Sequence, residues 1–312
     1  MQRALASSPH PTHVHFYSSS GGNAGLGCVH AARVLDRPAT VVVPLSTKPL
    51  MIAKIRAAGA HEVLQHGATW RDADAWMRGT VMPSAAVRGE ECVYVSPFDH
   101  PDIWAGHSTM VDEVREQLAA QGVESPPEVI VCSVGGGGLF NGIMQGVARA
   151  GWSATTVLAV NTVGADALAK SVEAGRLITL PGITSLATSL GATRVSDRTW
   201  ELFSSSKRAR SVVLSDAEAA MGAWRFADDE RMMVELACGV NVALCYGGRL
   251  EKALGRPVRA EDKVVIVVCG GSNISVEMLA GWKREFGDLS DHTSRAEKET
   301  VPSAASLTNG DH

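Results

Sequence analysis

The sequence has no apolar run approaching the roughly 20 residues that a membrane span requires, so no membrane partner is expected. It also has no apolar segment between Met1 and Pro11 of the kind a secretory signal carries. There is no surplus of basic residues: 29 Lys and Arg stand against 33 Asp and Glu, a formal net charge of −4, so no nucleic-acid footprint is expected. The tryptophans are scattered singly, as for packing, and do not form a stacking platform for bases. The six cysteines include no C-x-x-C pair, which removes zinc-ribbon and thioredoxin readings and points to a reducing compartment. His10, His13 and His15 lie close together but have no distant ligand set, so no metal site is assigned and they read as an exposed, untidy N-terminus.

What is present suits an ordinary globular protein. Over 312 residues, 45% apolar content is enough to bury a sizeable core, and the length favours two domains. Short apolar runs predict strands at 13–17, 39–44, 62–65, 92–95, 128–133, 155–160, 211–214 and 263–269. Helical patterns lie between them at 23–35, 48–58, 70–78, 103–121, 139–150, 165–174, from Asp216 onward, and at 233–254 and 275–286, while 82–91 reads as a loop. Strand–helix alternation with strands this apolar means α/β architecture: parallel, doubly wound sheets covered by helices. The expected organisation is an N-terminal segment at 1–16, a smaller α/β domain at 17–101, a larger one at 102–287 and a mobile polar tail at 288–312.

Three strand ends carry the chemistry. The first runs Val131-Cys132-Ser133-Val134-Gly135-Gly136-Gly137-Gly138-Leu139: a strand enters four glycines and a helix leaves them. Backbone N–H groups there, with the helix N-terminus, make an anion site. No Gly-Lys-Ser/Thr follows, and Phe140 breaks the G-x-G-x-x-G pattern, so a lone phosphate is expected, not a triphosphate or a dinucleotide. The alternative is a flexible tight turn, but four glycines are entropically costly as filler. The second strand end is Ser18-Ser19-Ser20-Gly21-Gly22-Asn23-Ala24-Gly25, a nest suited to a carboxylate or a phosphate, with simple helix capping by Ser20 or Asn23 as the alternative. The third is Val268-Cys269-Gly270-Gly271-Ser272-Asn273, where Cys269 could equally be a small buried hydrophobe. Ligands of open α/β sheets gather outside the carboxyl ends of strands, so all three are expected around one crevice between the domains.

Together these stretches resemble the pyridoxal-phosphate (PLP) enzymes of fold type II, the tryptophan synthase beta-like group. Among them they resemble the serine/threonine dehydratases, with a close match to the cytosolic L-serine dehydratase group. The resemblance is carried by Ser19–Gly25 and by Pro38-Ala39-Thr40-Val41-Val42-Val43-Pro44. It continues through Pro97-Phe98-Asp99-His100-Pro101-Asp102-Ile103-Trp104-Ala105-Gly106-His107, residues 133–142 and Pro181-Gly182-Ile183-Thr184-Ser185-Leu186-Ala187. Val234-Glu235-Leu236-Ala237-Cys238-Gly239 and residues 268–275 complete it. The family's usual Val-Glu-Pro-Ala becomes Val-Glu-Leu-Ala at Leu236, a packing change.

The resemblance implies a fold of two parallel-sheet domains with PLP in the crevice between them. It implies that Gly135, Gly136, Gly137, Gly138 and Leu139 bind the PLP phosphate, that Asn23 bonds the ring hydroxyl, that Cys269 faces the pyridine nitrogen and that Ala187 lies near the ring. Ser20, Gly21, Gly22, Asn23 and Ala24 would hold the carboxylate of a small amino-acid substrate. The implied activity is L-serine ammonia-lyase, with L-threonine as a second substrate, in a cytoplasmic homodimer. Racemases of the group carry a serine where this chain has Gly21, which favours dehydration. The thiol of Cys269 is a weak donor to a ring nitrogen, which suits elimination. The family also has an acidic residue near a monovalent cation where Asn161 stands, a departure that counts against the cation. Finally, it implies a Schiff-base lysine well ahead of the Ser-Gly-Asn asparagine. None of the 22 residues before Asn23 is lysine, and the first, Lys48, lies in a different motif. Residues 1–16 are therefore expected to be a truncated N-terminal segment, with the lysine upstream of Met1 and no catalytic residue assigned within the chain. A non-catalytic homologue or partner subunit is the alternative.

Overall fold

The computed structural model describes residues 1–298. Its strands fall into two four-stranded parallel sheets. The first sheet contains β1 (Val14–Ser18), β2 (Ala39–Val43), β3 (Glu62–Gln65) and β4 (Glu91–Tyr94), in the order β3-β2-β1-β4. The second contains β5 (Val129–Ser133), β6 (Thr156–Thr162), β7 (Ala209–Leu214) and β8 (Val264–Ile266), in the order β7-β6-β5-β8. The helices of the first layer are α1 (Gln2–Ser7), α2 (Asn23–Val34), α3 (Pro49–Ala57), α4 (Trp70–Trp76) and α5 (Met82–Val87). The second layer adds α6 (Pro101–Ala120), α7 (Gly138–Arg149), α8 (Ala167–Ala174) and α9 (Asp197–Ser205). It ends with α10 (Asp216–Glu230), α11 (Leu236–Val242), α12 (Arg249–Leu254) and α13 (Val276–Lys298). No helix among the described residues is long and apolar enough to cross a membrane.

Burial on both faces explains the continuous apolar strands. Successive side chains of a strand point to opposite faces. In β5, Val129 and Val131 enter one core with Leu158 and Val160 of β6, while Ile130 and Cys132 enter another with Val157 and Ala159. The first sheet divides likewise: Val14, Phe16, Val41 and Val43 pack on one side, and Tyr17 and Val42 on the other. The C-terminal ends of β1, β5 and β8 lead into the three glycine-bearing loops.

Several local expectations are corrected. β1 begins at Val14, and Met1, Ala4 and Leu5 pack against its core, so residues 1–16 contribute to the first layer. His15 is not part of an exposed N-terminus but is buried at 5% exposure, its Nε2 3.0 Å from Thr40 Oγ1 and its Nδ1 2.7 Å from Glu90. The expected loop at 82–91 contains α5, because Pro83 falls in its first turn, where no N–H is needed. The single helix expected at 233–254 is broken into α11, a 3₁₀ turn and α12 by Gly247 and Gly248, with φ of +62° and +68°. No helix was expected at α9; it is capped by Ser196, whose Oγ accepts from the N–H of Thr199 at 3.1 Å. α13 continues to Lys298, so residues 288–298 of the expected mobile tail are helical, and the rest of that tail lies outside the described residues.

Candidate active site

The loop after β5 is built from glycines because nothing larger fits. A Cβ on Gly136 would fall 2.3 Å from the Phe98 ring, and one on Gly138 would fall 2.8 Å from the Phe98 carbonyl oxygen. Gly137 has φ +100°, and a Cβ there would meet Thr199 Oγ1 at 1.8 Å. Four contacts hold the loop from behind. Ser196 N–H donates to the Gly136 carbonyl at 3.0 Å, and Thr199 Oγ1 lies 3.4 Å from the same oxygen. Thr199 also donates to the buried Asn141 Oδ1 at 2.9 Å, and Asn141 Nδ2 donates to Ser196 Oγ at 3.2 Å. The N–H groups of residues 135–139 have no hydrogen-bond partner among the described residues. A rigid, glycine-lined row of unpaired donors at a helix N-terminus fits a phosphate monoester.

The loop after β1 is equally tight. A Cβ on Gly25 would lie 1.9 Å from the Ser20 carbonyl oxygen, and one on Gly21 would lie 2.9 Å from Thr47. The N-cap of α2 is Gly22, and no side chain caps the helix, so Ser20 and Asn23 are not there as caps. Ser20 Oγ accepts from Gly22 N–H at 3.3 Å, while the N–H groups of Gly21, Asn23 and Ala24 find no partner among the described residues. Such a set of donors fits a carboxylate.

Asn23 joins this loop to the second layer. Its Nδ2 donates to Glu235 Oε1 at 2.9 Å and approaches Ser189 Oγ at 3.4 Å. Its Oδ1 accepts from Ser272 N–H at 3.0 Å and from Ser272 Oγ at 2.9 Å. The buried Glu235 also accepts from Asn273 N–H at 3.0 Å, and its own N–H donates to the Gly270 carbonyl at 2.9 Å. Gly270 and Gly271 have φ of +76° and +89°, and a Cβ on Gly271 would lie 2.1 Å from Glu235 Cδ. The link to the glycine run passes through Ser189, whose carbonyl oxygen would lie 3.3 Å from a Cβ on Gly135. The loops after β1 and β8 therefore meet at Asn23, and the loop after β5 lies on the far side of Ser189.

The remaining expected residues are placed differently from one another. Cys269 is exposed in the loop that follows β8, so the alternative of a fully buried hydrophobe does not hold. Its thiol is pushed up to about 11, first by surrounding protein atoms and then by Cys238 and the Glu235 carboxylate. Ala187 is buried in the core of the second layer, and its neighbours reach the crevice: Thr188 Oγ1 accepts from Asn273 Nδ2 at 3.2 Å, and Ser189 meets Asn23. Asn161 is buried: its Nδ2 donates to the carbonyls of Val134 at 2.7 Å and Ala165 at 3.2 Å, while its Oδ1 has no hydrogen-bond partner among the described residues.

Sequence reasoning assigned no role to Glu235, Ser189, Ser272, Phe98, Asn141 or Thr199. Glu235 left one signal, a carboxylate inside the apolar run Val234-Glu235-Leu236-Ala237. The others gain meaning only from partners far along the chain.

Comparison with known proteins agrees with this geometry. The family described as "Pyridoxal-phosphate dependent enzyme" matches residues 4–270. An L-serine dehydratase of Saccharomyces cerevisiae is 44% identical over 264 residues, covering 84% of this chain and 78% of that protein. A serine dehydratase-like protein of Mus musculus is 41% identical over 275 residues, covering 88% and 80%. The crystal structure of a fungal L-serine ammonia-lyase from Rhizomucor miehei superposes with a TM-score of 0.79 at 34% identity, covering 91% of this chain and 85% of that one. With two parallel α/β layers, a phosphate-fitting glycine run and a family match over most of its length, the chain belongs to the pyridoxal-phosphate dependent enzymes.

Proposed function

We propose that the chain is a PLP-dependent L-serine ammonia-lyase that forms pyruvate and ammonia by β-elimination, with L-threonine, giving 2-oxobutanoate, as a second substrate. The observation that carries this reading is the bonding of the loops after β1 and β8 at Asn23, with the glycine run after β5 reached through Ser189, in a chain 44% identical to an L-serine dehydratase. Residues 135–139 would hold the phosphate through main-chain N–H groups, Asn23 the ring hydroxyl, and Ser20, Gly21, Gly22, Asn23 and Ala24 the substrate carboxylate. Ala187 lies near the ring in this arrangement. Bound PLP supplies an electron sink for the charge left when the α-proton departs. With its thiol pushed up to about 11, Cys269 stays neutral at physiological pH and offers the ring nitrogen only a weak donor, which favours loss of the β-hydroxyl over a long-lived carbanion. The two α/β layers would hold the cofactor between them, in a cytoplasmic homodimer.

A second reading, a PLP-binding homologue without turnover, is favoured by one observation. Lys48 is exposed, and Lys54 is engaged with the main-chain carbonyl of Ser272. The test is pyruvate release from L-serine in the presence of PLP. It is run on the 312-residue chain and on the chain extended at its N-terminus by the lysine-bearing segment of a homologous L-serine dehydratase. Release by the extended form, with little from the 312-residue form, is expected. PLP binding without release by either form would favour the second reading, and absence of PLP binding would refute both.

A further inference from the structure

Asp74 lies at 8% exposure on α4, outside the group of residues that meet at Asn23. One of its oxygens, Oδ1, collects two hydroxyls: Ser19 Oγ donates to it at 2.7 Å and Tyr94 Oη at 2.8 Å. Ser19 follows the end of β1 and Tyr94 ends β4, so this carboxylate ties together the C-terminal ends of two paired strands. Its other oxygen lies 3.6 Å from Arg78, whose guanidinium stacks 5.1 Å from the centre of the Tyr94 ring. The charge is thus partly balanced on the side away from Ser19.

Ser19 is fully buried and immediately precedes the loop of unpaired donors at Gly21, Asn23 and Ala24. Two successive serines hold that loop: Ser19 through its hydroxyl on Asp74, and Ser20 through its hydroxyl on Gly22 N–H. Fixing the Ser19 side chain fixes the backbone direction from which the loop departs. An error of about 1 Å in such a group is costly to binding geometry. We propose that Asp74 is a positioning residue for the substrate carboxylate, acting through Ser19 to aim the N–H groups of the loop after β1. The inference rests on the reading of that loop as the carboxylate site.

The test measures affinity, not turnover. The 312-residue chain is saturated with pyridoxine 5′-phosphate, which has no aldehyde to condense with an amine. It is then titrated calorimetrically with L-serine and with serinol, which replaces the carboxylate by a hydroxymethyl group. Wild type should prefer L-serine. Asp74→Ala should weaken L-serine binding about tenfold, the scale of one hydrogen bond to a charged group, and leave serinol and pyridoxine 5′-phosphate affinities unchanged. Ser19→Ala should do the same, and Asp74→Asn, which keeps an oxygen for Ser19, should recover most of the loss. If Asp74→Ala does not fold, Ser19→Ala decides. A wild-type preference that survives folded variants, or L-serine and serinol affinities that fall in parallel, would overturn the positioning role alone. A wild type indifferent to the carboxylate would overturn the carboxylate-loop reading and the proposal with it.

Discussion

Asn23 and Glu235, 212 residues apart, meet between the two layers with Nδ2 2.9 Å from Oε1. The glutamate is 4% exposed and accepts from both Asn23 and the N–H of Asn273; without it the Asn273 N–H loses its acceptor and Asn23 Nδ2 keeps only the 3.4 Å approach to Ser189. Unpaired buried donors cost about 1–3 kcal/mol each. Glu235→Ala should therefore lower unfolding stability by about 1–2 kcal/mol, and Glu235→Gln, which keeps one oxygen, should cost less. Urea denaturation checks this; equal stability of Glu235→Ala and wild type would remove the carboxylate from its bridging role.

Gly136 and Phe98 offer a reciprocal test. A Cβ on Gly136 would lie 2.3 Å from the ring, so Gly136→Ala must displace Phe98 or the loop. Overpacking of this kind costs about 1–3 kcal/mol, and the shifted N–H groups should weaken PLP binding. Adding Phe98→Ala should restore part of both losses. PLP titration and thermal unfolding of the three variants measure it, and equal defects in the single and double variants would contradict the contact.

The pH dependence of Cys269 has a definite sign. The folded thiol is pushed up to about 11 from an ordinary value of 9.0. Between these values the unfolded chain has lost the proton that the native chain keeps, so the native advantage is present below pH 9 and falls as pH rises toward 11. The stability of wild type relative to Cys269→Ala should decline across that window. A flat difference would show that the thiol is not perturbed by its surroundings.

Much of the architecture could be read from the chain because its cause is local. Strands such as Val129–Ser133 and Thr156–Thr162 are apolar throughout because helices cover both faces. The four glycines following β5 stood out because such a run is hard to explain as filler. Tertiary detail was not legible in the same way. Asn141 looks like any polar helix residue until Thr199, 58 positions away, donates to it. Asp74 resembles a surface acid of a polar helix until Ser19 and Tyr94 converge on one of its oxygens. The break between α11 and α12 turned on two glycines whose left-handed geometry the helical pattern concealed.

The most direct measurement compares PLP with pyridoxal, which lacks the phosphate, in equilibrium titrations of the 312-residue chain. If residues 135–139 are the phosphate cradle, PLP should bind at least about tenfold tighter, because several charge-assisted N–H bonds depend on that group. Equal affinity for the two compounds, or no binding of PLP, would contradict the cradle and the enzyme class built upon it.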